Sequence, residues 1–267
     1  MKNSKGVVFK RQQALIKALK ENKTVHVDVL AQELNVSATT IRRDFQEFES
    51  KHLLKRFHGG AQLLEGVLQE DPAPETLSPK NVSQKHAIAK YAADLVENGD
   101  TIFMNSSSTA LLLLHYLKNK RVIVVTNNGN AISQEKDPQV ELLLTGGEIY
   151  DRKKSMVGEF ALHTLTKITA DKAFIGVGGI SKRGGITTSV LQETAVNELM
   201  LKRCQGPCYV LADSSKIGRE HNFLSGSIDK VTTIITGKDA NPAELELLKE
   251  SGIDIVELDA VDPGSTK

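Results

Sequence analysis

The chain has 267 residues, 40% of them hydrophobic, with 34 Lys/Arg against 33 Asp/Glu. That suits a small domain joined to one of about 200 residues, and no apolar run approaches the roughly 20 residues a membrane helix needs. The opening MKNSKGVVFKRQQALIK has neither the apolar segment nor the small-residue cleavage site of a signal peptide, so a cytoplasmic protein is expected.

Charge divides the chain unevenly. Residues 1–60 hold 12 basic against 6 acidic side chains, a net of +6, and the rest hold 22 against 27, a net of −5. A basic segment on an otherwise acidic chain is the electrostatic footprint of a nucleic-acid module, although solvated lysines alone would give the same sign.

Leu15, Ile16 and Leu19 mark a first helix, and Val27, Leu30, Ala31 and Leu34 a second with one buried face. Asn35 tolerates the left-handed backbone of a tight turn. Ser37 sits where an N-cap belongs, ahead of a third helix. On that helix Ile41, Phe45 and Phe48 share one stripe. Arg42, Gln46, Thr39 and Arg43 fall at about 100°, 140°, 160° and 200° from Ile41. Helix, short turn, helix is the arrangement whose second helix enters the major groove of DNA. The following LLKRFHGGAQLL (residues 53–64) reads as a β-hairpin wing around Gly59-Gly60, with Lys55, Arg56 and His58 along the phosphate backbone. The expected DNA contacts are therefore Ser37, Thr39, Thr40, Arg42, Arg43, Gln46, Lys55, Arg56 and His58. Residues 1–61 form this domain. Residues 62–82, with Pro72, Pro74 and Pro79 in an acidic stretch, read as a linker to a domain over 83–260.

From residue 84 strands and helices alternate. QKHAIAKYAADLVENG is a helix, DTIFMN a strand, SSSTALLLLHYLKN a helix and RVIVVTN a strand. NGNAISQEKD reads as helical and VELLLTGG as a strand. A helix near Val157–Leu165 precedes DKAFIGVGGI, and another near Val190–Arg203 precedes PCYVLADSSK. VTTIITG and IDIVEL close the series. β-Branched runs separated by helices predict a mostly parallel α/β sheet with its site at the carboxyl ends of the strands. There the first strand is followed by Asn105-Ser106-Ser107-Ser108-Thr109 opening a helix, an arrangement that favours an anion. A serine-rich cap is the plain alternative. Later strands end in Thr126-Asn127, Gly146-Gly147 and Gly176-Val177-Gly178-Gly179, small residues where a ligand can approach the backbone. Cys204 and Cys208, the only cysteines, read as buried or free thiols of a reducing compartment rather than a metal site. No cofactor motif is present.

VSATTIRRDFQEFESKHLLKRFHGGA resembles the N-terminal signature of the DeoR family of bacterial transcription regulators. Its pattern is V-S-x-x-T-[IV]-R-R-D-L-x-x-L-E-x-x-G-x-L-x-R-x-H-G-G-A. Val36, Ser37, Thr40, Ile41, Arg42, Arg43, Asp44, Glu49, Leu54, Arg56, His58, Gly59, Gly60 and Ala61 match. Phe45 and Phe48 replace leucines, and His52 replaces a glycine. Residues 84–237 resemble the family's C-terminal domain in order: a D-S-G-T-T-like loop, V-V-T-N, G-G, D-K-A-F-x-G-x-x-G-I, an E-A-x-V-K-like helix and D-S-S-K. The resemblance implies a winged helix-turn-helix domain plus an α/β domain related to ribose-5-phosphate isomerase that senses phosphorylated sugars or related metabolites. Carried over, the pocket comprises Asn105, Ser106, Ser107, Ser108, Thr109, Thr126, Asn127, Gly146, Gly147, Gly178, Glu193, Asp213 and Lys216. Two positions depart from the pattern. Asn105 replaces the acid that opens the loop, and Asn197 replaces the lysine of E-A-x-V-K. Asparagine cannot act as a base, which weighs against a sugar-phosphate isomerase or deaminase and leaves no catalytic residue to name. The lost lysine also suggests a less highly charged effector. The resulting expectation is a repressor of a carbohydrate-use operon, working as a dimer or tetramer on double-stranded operator DNA under control of a sugar phosphate. An RNA-binding module lacks the stacking surface, since aromatics are 4% of the chain and Phe45 and Phe48 are needed inside.

Overall fold

A computed structural model describes residues 11, 14, 15, 18, 19, 22, 24–50, 54–57, 59–63 and 79–261, with the side chains of Glu47, Ser50, Leu63, Pro79 and Lys80 excepted. The expectations for Ile16, His52 and His58, and for the linker prolines Pro72 and Pro74, lie outside the described residues. The chain forms two compact units, residues 1–73 and 74–267.

In the first unit Leu15 and Leu19 are helical, buried and one turn apart. Strand β1 (Thr24–His26) leads into helix α1 (Val27–Glu33), and α2 spans Ala38–Ser50. Strands β2 (Leu54–Phe57) and β3 (Gly60–Leu63) form the wing, and β1 pairs antiparallel with β3 to complete a three-stranded sheet. The hairpin was legible in the sequence, whereas β1 is too short for its alternation to register. Asn35 adopts φ 50°, the left-handed turn expected of it. The two glycines of the wing have different reasons. Gly59 takes φ +88°, and a Cβ on Gly60 would lie 2.4 Å from the Val25 carbonyl oxygen of β1. Ile41, Phe45 and Phe48 are all buried with Leu15, Leu19, Leu30 and Leu54. Each such side chain contributes about 1.5–3 kcal/mol.

The second unit begins with α3 (Pro79–Asp94), whose first residue is a proline that suits a helix's first turn. The helix therefore starts four residues before the boundary placed at 83. Next come β4 (Thr101–Met104), α4 (Ser108–Tyr116), β5 (Val122–Thr126) and β6 (Val140–Leu144). A hairpin of β7 (Glu148–Tyr150) and β8 (Ser155–Val157) leads to α5 (Gly158–Thr166). Then follow β9 (Lys172–Gly176), β10 (Gly179–Ser181), β11 (Gly185–Thr188), α6 (Leu191–Arg203) and β12 (Cys208–Leu211). The unit ends with β13 (Phe223–Gly226), β14 (Thr233–Gly237), α7 (Pro242–Lys249) and β15 (Asp254–Leu258). Residues 128–137, expected to be helical, form only a 3₁₀ turn, Gly129–Ser133.

Seven strands make a parallel sheet in the order β15-β14-β12-β9-β4-β5-β6. Alternate residues of each strand feed two cores. Ile102 and Met104 pack with Ile88 of α3 and Leu113 of α4, while Phe103 packs with Ala161 of α5 and Val196 of α6. Burial on both faces explains why these strands read as continuous apolar runs. A separate antiparallel sheet, β10-β11-β13, was not foreseen. Its strands are short and rich in Gly, Ser and Thr, so they carry little alternating pattern. Among the described residues no helix is long and apolar enough to cross a membrane.

Candidate functional site

In the first unit, the Ser37 hydroxyl accepts a hydrogen bond from the Thr40 amide at 3.1 Å and lies 2.8 Å from the Thr40 hydroxyl. The N-cap expected of Ser37 is thus formed, and Thr40 is partly engaged by it. Thr39, Arg42, Arg43 and Gln46 are exposed on the side of α2 away from its buried stripe. Asp44, next to the arginines, is instead buried and takes two hydrogen bonds from Arg11. On the wing Lys55 is exposed. Arg56 is tied to Glu49 of α2, with Nε 2.5 Å from the carboxylate and the Arg56 amide donating at 3.1 Å. Those bonds set the wing against the helix and hold the Glu49 carboxyl below its ordinary pKa, the backbone bond being the largest cause.

In the second unit the strand order fixes where a ligand belongs. From β4 the chain runs outward through β5 and β6, then returns across β4 to β9 and continues through β12 and β14. The order reverses between β4 and β9, and ligands of open α/β sheets sit beyond the carboxyl ends of the strands at such a reversal. Asn105, just past β4, and Gly176, the last residue of β9, are bonded to each other. The Asn105 side-chain oxygen accepts from the Gly176 amide at 3.0 Å, and its Nδ2 donates to the Gly176 carbonyl at 2.8 Å. A Cβ on Gly176 would fall 1.7 Å from the Ser107 hydroxyl, so only glycine lets the β4 loop lie there.

That loop delivers Ser107 as the N-cap of α4, its hydroxyl accepting from the Ala110 amide at 3.1 Å. Ser108 is exposed beside it and Thr109 is buried. The Ser106 hydroxyl donates to Glu193 of α6 at 2.7 Å, a bond to a charged group worth about 1.5–3 kcal/mol. Glu193 is itself buried and faces Lys153, from the β7–β8 turn, at 3.5 Å. Asp213, at the end of β12, is buried and lies 4.0 Å from the Lys85 ammonium, which also reaches the Ser108 hydroxyl at 3.5 Å. Asp213 further accepts from the Ser215 amide at 3.2 Å. Both carboxylates thus have a lysine opposite them. Lys216 is half-buried three residues beyond Asp213 and has no carboxylate partner among the described residues, which leaves this end of the sheet a spare cation.

The structure therefore joins Asn105, Ser106, Ser107, Ser108 and Thr109 with Glu193 and Asp213. Other expected pocket residues have packing reasons of their own. Thr126 and Asn127 are fully buried, and Asn127 donates to the Met156 carbonyl at 3.1 Å to hold β8. The Asn127 side-chain oxygen and the Ser155 hydroxyl, both buried, have no hydrogen-bond partner among the described residues. Gly146 and Gly147 take φ +67° and +110°, and a Cβ on Gly147 would meet the Val157 carbonyl oxygen at 2.4 Å. Gly178 packs beneath His221 and Thr187. Sequence reasoning missed Lys85 and Lys153. Each sits on an element remote in sequence, and nothing near either lysine marks it as different from a solvated one. Cys204 and Cys208 are free thiols, Cys208 buried, and a hydrogen bond with the neighbouring Cys204, together with burial, pushes the Cys208 thiol up.

Residues 11–67 match the family model described as a DeoR-like helix-turn-helix domain, and residues 80–238 match the DeoR C terminal sensor domain. The chain is 32% identical to the uncharacterized HTH-type transcriptional regulator FruR of Bacillus subtilis, across 85% of this chain and 90% of that one. It is 30% identical to the HTH-type transcriptional regulator GolR of Listeria innocua, across 92% and 97%. It is 32% identical to the lactose phosphotransferase system repressor of Streptococcus mutans, across 85% and 90%. Among solved structures it is similar to ribose 5-phosphate isomerase A of Methanocaldococcus jannaschii. That match has 19% identity, covers 51% of this chain and 54% of that one, and has a TM-score of 0.36, too loose a likeness to carry an argument.

Proposed function

The chain belongs to the DeoR family of helix-turn-helix transcriptional regulators, and from that premise we propose that it represses a carbohydrate-use operon under control of a phosphorylated sugar or related metabolite. One observation carries the DNA side of this reading. Helix α2 buries Ile41, Phe45 and Phe48 on one face and offers Thr39, Arg42, Arg43 and Gln46 to solvent on the other, beside a wing bearing Lys55. Arginine suits guanine edges, glutamine suits adenine edges, and the wing lysine suits phosphate. Operators with two half-sites need two recognition helices, so the acting species is a dimer or tetramer.

The effector side rests on the β4–β9 reversal. A helix N-terminus with hydroxyls, a spare cation at Lys216 and carboxylates at Glu193 and Asp213 suit a ligand with a phosphate at one end and hydroxyls at the other. Such a ligand changes DNA affinity only if it binds the DNA-competent arrangement and its alternative unequally. An enzyme reading finds less support. Asn105 and Asn197 cannot take a proton, and Glu193 is held between Ser106 and Lys153. The protein acts in the cytoplasm on this reading.

Fluorescence anisotropy tests both halves. The full chain is titrated onto labelled DNA from upstream of its own gene, across a salt series, with and without hexose and pentose phosphates. Tight binding that weakens steeply with salt and shifts with one sugar phosphate is the expected result. Binding no tighter than to random DNA would overturn the regulator reading. A salt-sensitive complex indifferent to every phosphate would overturn the effector reading alone.

A further inference from the structure

The two positions at which this chain departs from its family pattern touch each other. Asn105, 3% exposed, donates through Nδ2 to the side-chain oxygen of Asn197, 5% exposed, at 3.1 Å. Asn197 in turn donates to the Ser225 hydroxyl of β13 at 2.8 Å. The orientation of both amides follows from their neighbours. The Asn105 oxygen is held by the Gly176 amide at 3.0 Å and the Ser107 amide at 3.3 Å, so its nitrogen must face Asn197. The oxygen of Asn197 must then face Asn105, and its nitrogen faces Ser225. Both donors and both acceptor directions of Asn105 are used, so it reaches a ligand only through the Ser106-Ser107 backbone that it positions.

The pattern's acid and lysine would meet at this same place. Loss of the lysine is therefore matched by loss of the acid in contact with it, and the expectation of a pocket short of one cation is revised: the exchange is neutral for neutral. We propose that Asn105 and Asn197 act as one specificity-determining unit, an uncharged floor beneath the β4 loop. With its hydrogen bonds already made, it acts on a ligand only through the Ser106-Ser107 backbone that it positions, and it disfavours a ligand bringing an ammonium or carboxylate against that loop. A buried amide pair with its hydrogen bonds already made offers an ionised group nothing in return for its lost hydration. Glu193, which accepts from Ser106 of the same loop, already faces Lys153. The selectivity rests on the effector reading above, whereas the coupling of the two amides does not.

A double-variant cycle on the full chain, read by thermal denaturation without ligand, tests the coupling. Asn105→Asp turns a donor into an acceptor facing the Gly176 carbonyl and Asn197. Asn197→Lys buries an ammonium without its counter-ion. Each is expected to lower the melting temperature by at least about 3 °C, and the double variant to recover most of the combined loss. Should neither single variant fold, a folded double variant is the expected outcome. Additive losses, or a double variant that does not fold, would overturn the pairing. Selectivity is read in parallel as the thermal shift given by glucose 6-phosphate or fructose 6-phosphate against glucosamine 6-phosphate. The wild type should favour the neutral sugars, and the double variant should lose at least about tenfold of that preference. An unchanged preference would overturn the neutral floor. If no sugar phosphate shifts the wild type, the effector reading falls and takes the selectivity with it, while the unliganded cycle still decides the coupling.

Discussion

Arg11 donates to Asp44 through Nε at 2.5 Å and Nη2 at 2.9 Å, with both side chains less than a tenth exposed. The pair ties a residue at the start of the described chain to the middle of the recognition helix. Asp44 therefore holds α2 in place, while Arg42 and Arg43 beside it face outward. Removing one partner of a buried pair strands the other charge, at a cost of about 3–5 kcal/mol. Asp44→Ala should unfold the first unit at lower denaturant and abolish DNA binding. A full-chain urea titration with the same N-terminal transition as the wild type would remove this role from Asp44.

Arg43 and Lys55 should behave differently. Arg43 lies on the exposed face of α2, where a bidentate contact to guanine is worth about 1–3 kcal/mol. Arg43→Ala should weaken binding by that amount and relax preference at one operator position. Lys55→Ala should weaken binding to all sequences alike and lower the salt slope by about one. Competition anisotropy with single-base operator variants separates the two. Equal losses on every variant for both substitutions would place Arg43 on the phosphates instead.

The recognition helix, its cap, the wing and the parallel sheet were legible because each is encoded locally. Stripes such as Ile41-Phe45-Phe48 and runs such as VIVVT carry their own period. What stayed hidden depends on pairs far apart in sequence. Arg11 reads as one more N-terminal cation until Asp44 is seen 33 residues later. The β4 loop was expected from its hydroxyls to take a ligand, yet Lys85 beside Ser108 and Lys153 beside Glu193 were not foreseen. The importance of Gly176 likewise shows only in its approach to Ser107. The two asparagines were noticed singly, and their contact needed the fold.

Lys216, half-buried just past β12, has no carboxylate partner among the described residues. Lys216→Ala should leave the DNA isotherm without effector unchanged and weaken the effector response at least about tenfold, the loss of one charge-assisted bond. Anisotropy with and without the responding sugar phosphate reads both at once. An unaltered response would remove Lys216 from the site.

His86 should give the second unit a measurable acid sensitivity. Its ring lies on α3, with Nδ1 2.7 Å from the Tyr116 hydroxyl of α4. Burial pushes the imidazole below its ordinary pKa, and the neighbouring His115 lowers it further. A lowered folded pKa means that, below the ordinary value of about 6.5, the unfolded chain binds the proton first. The contribution of the neutral ring is thus complete above about pH 6.5 and is lost as pH falls through the lower folded value. His86→Gln removes the titrating group, so its melting temperature should decline less than the wild type's between about pH 7.5 and about pH 5, an interval that runs from above to below the ordinary histidine value of about 6.5. Parallel curves for the two proteins over that interval would mean that the proton is taken up elsewhere and would remove His86 from the acid sensitivity of this unit.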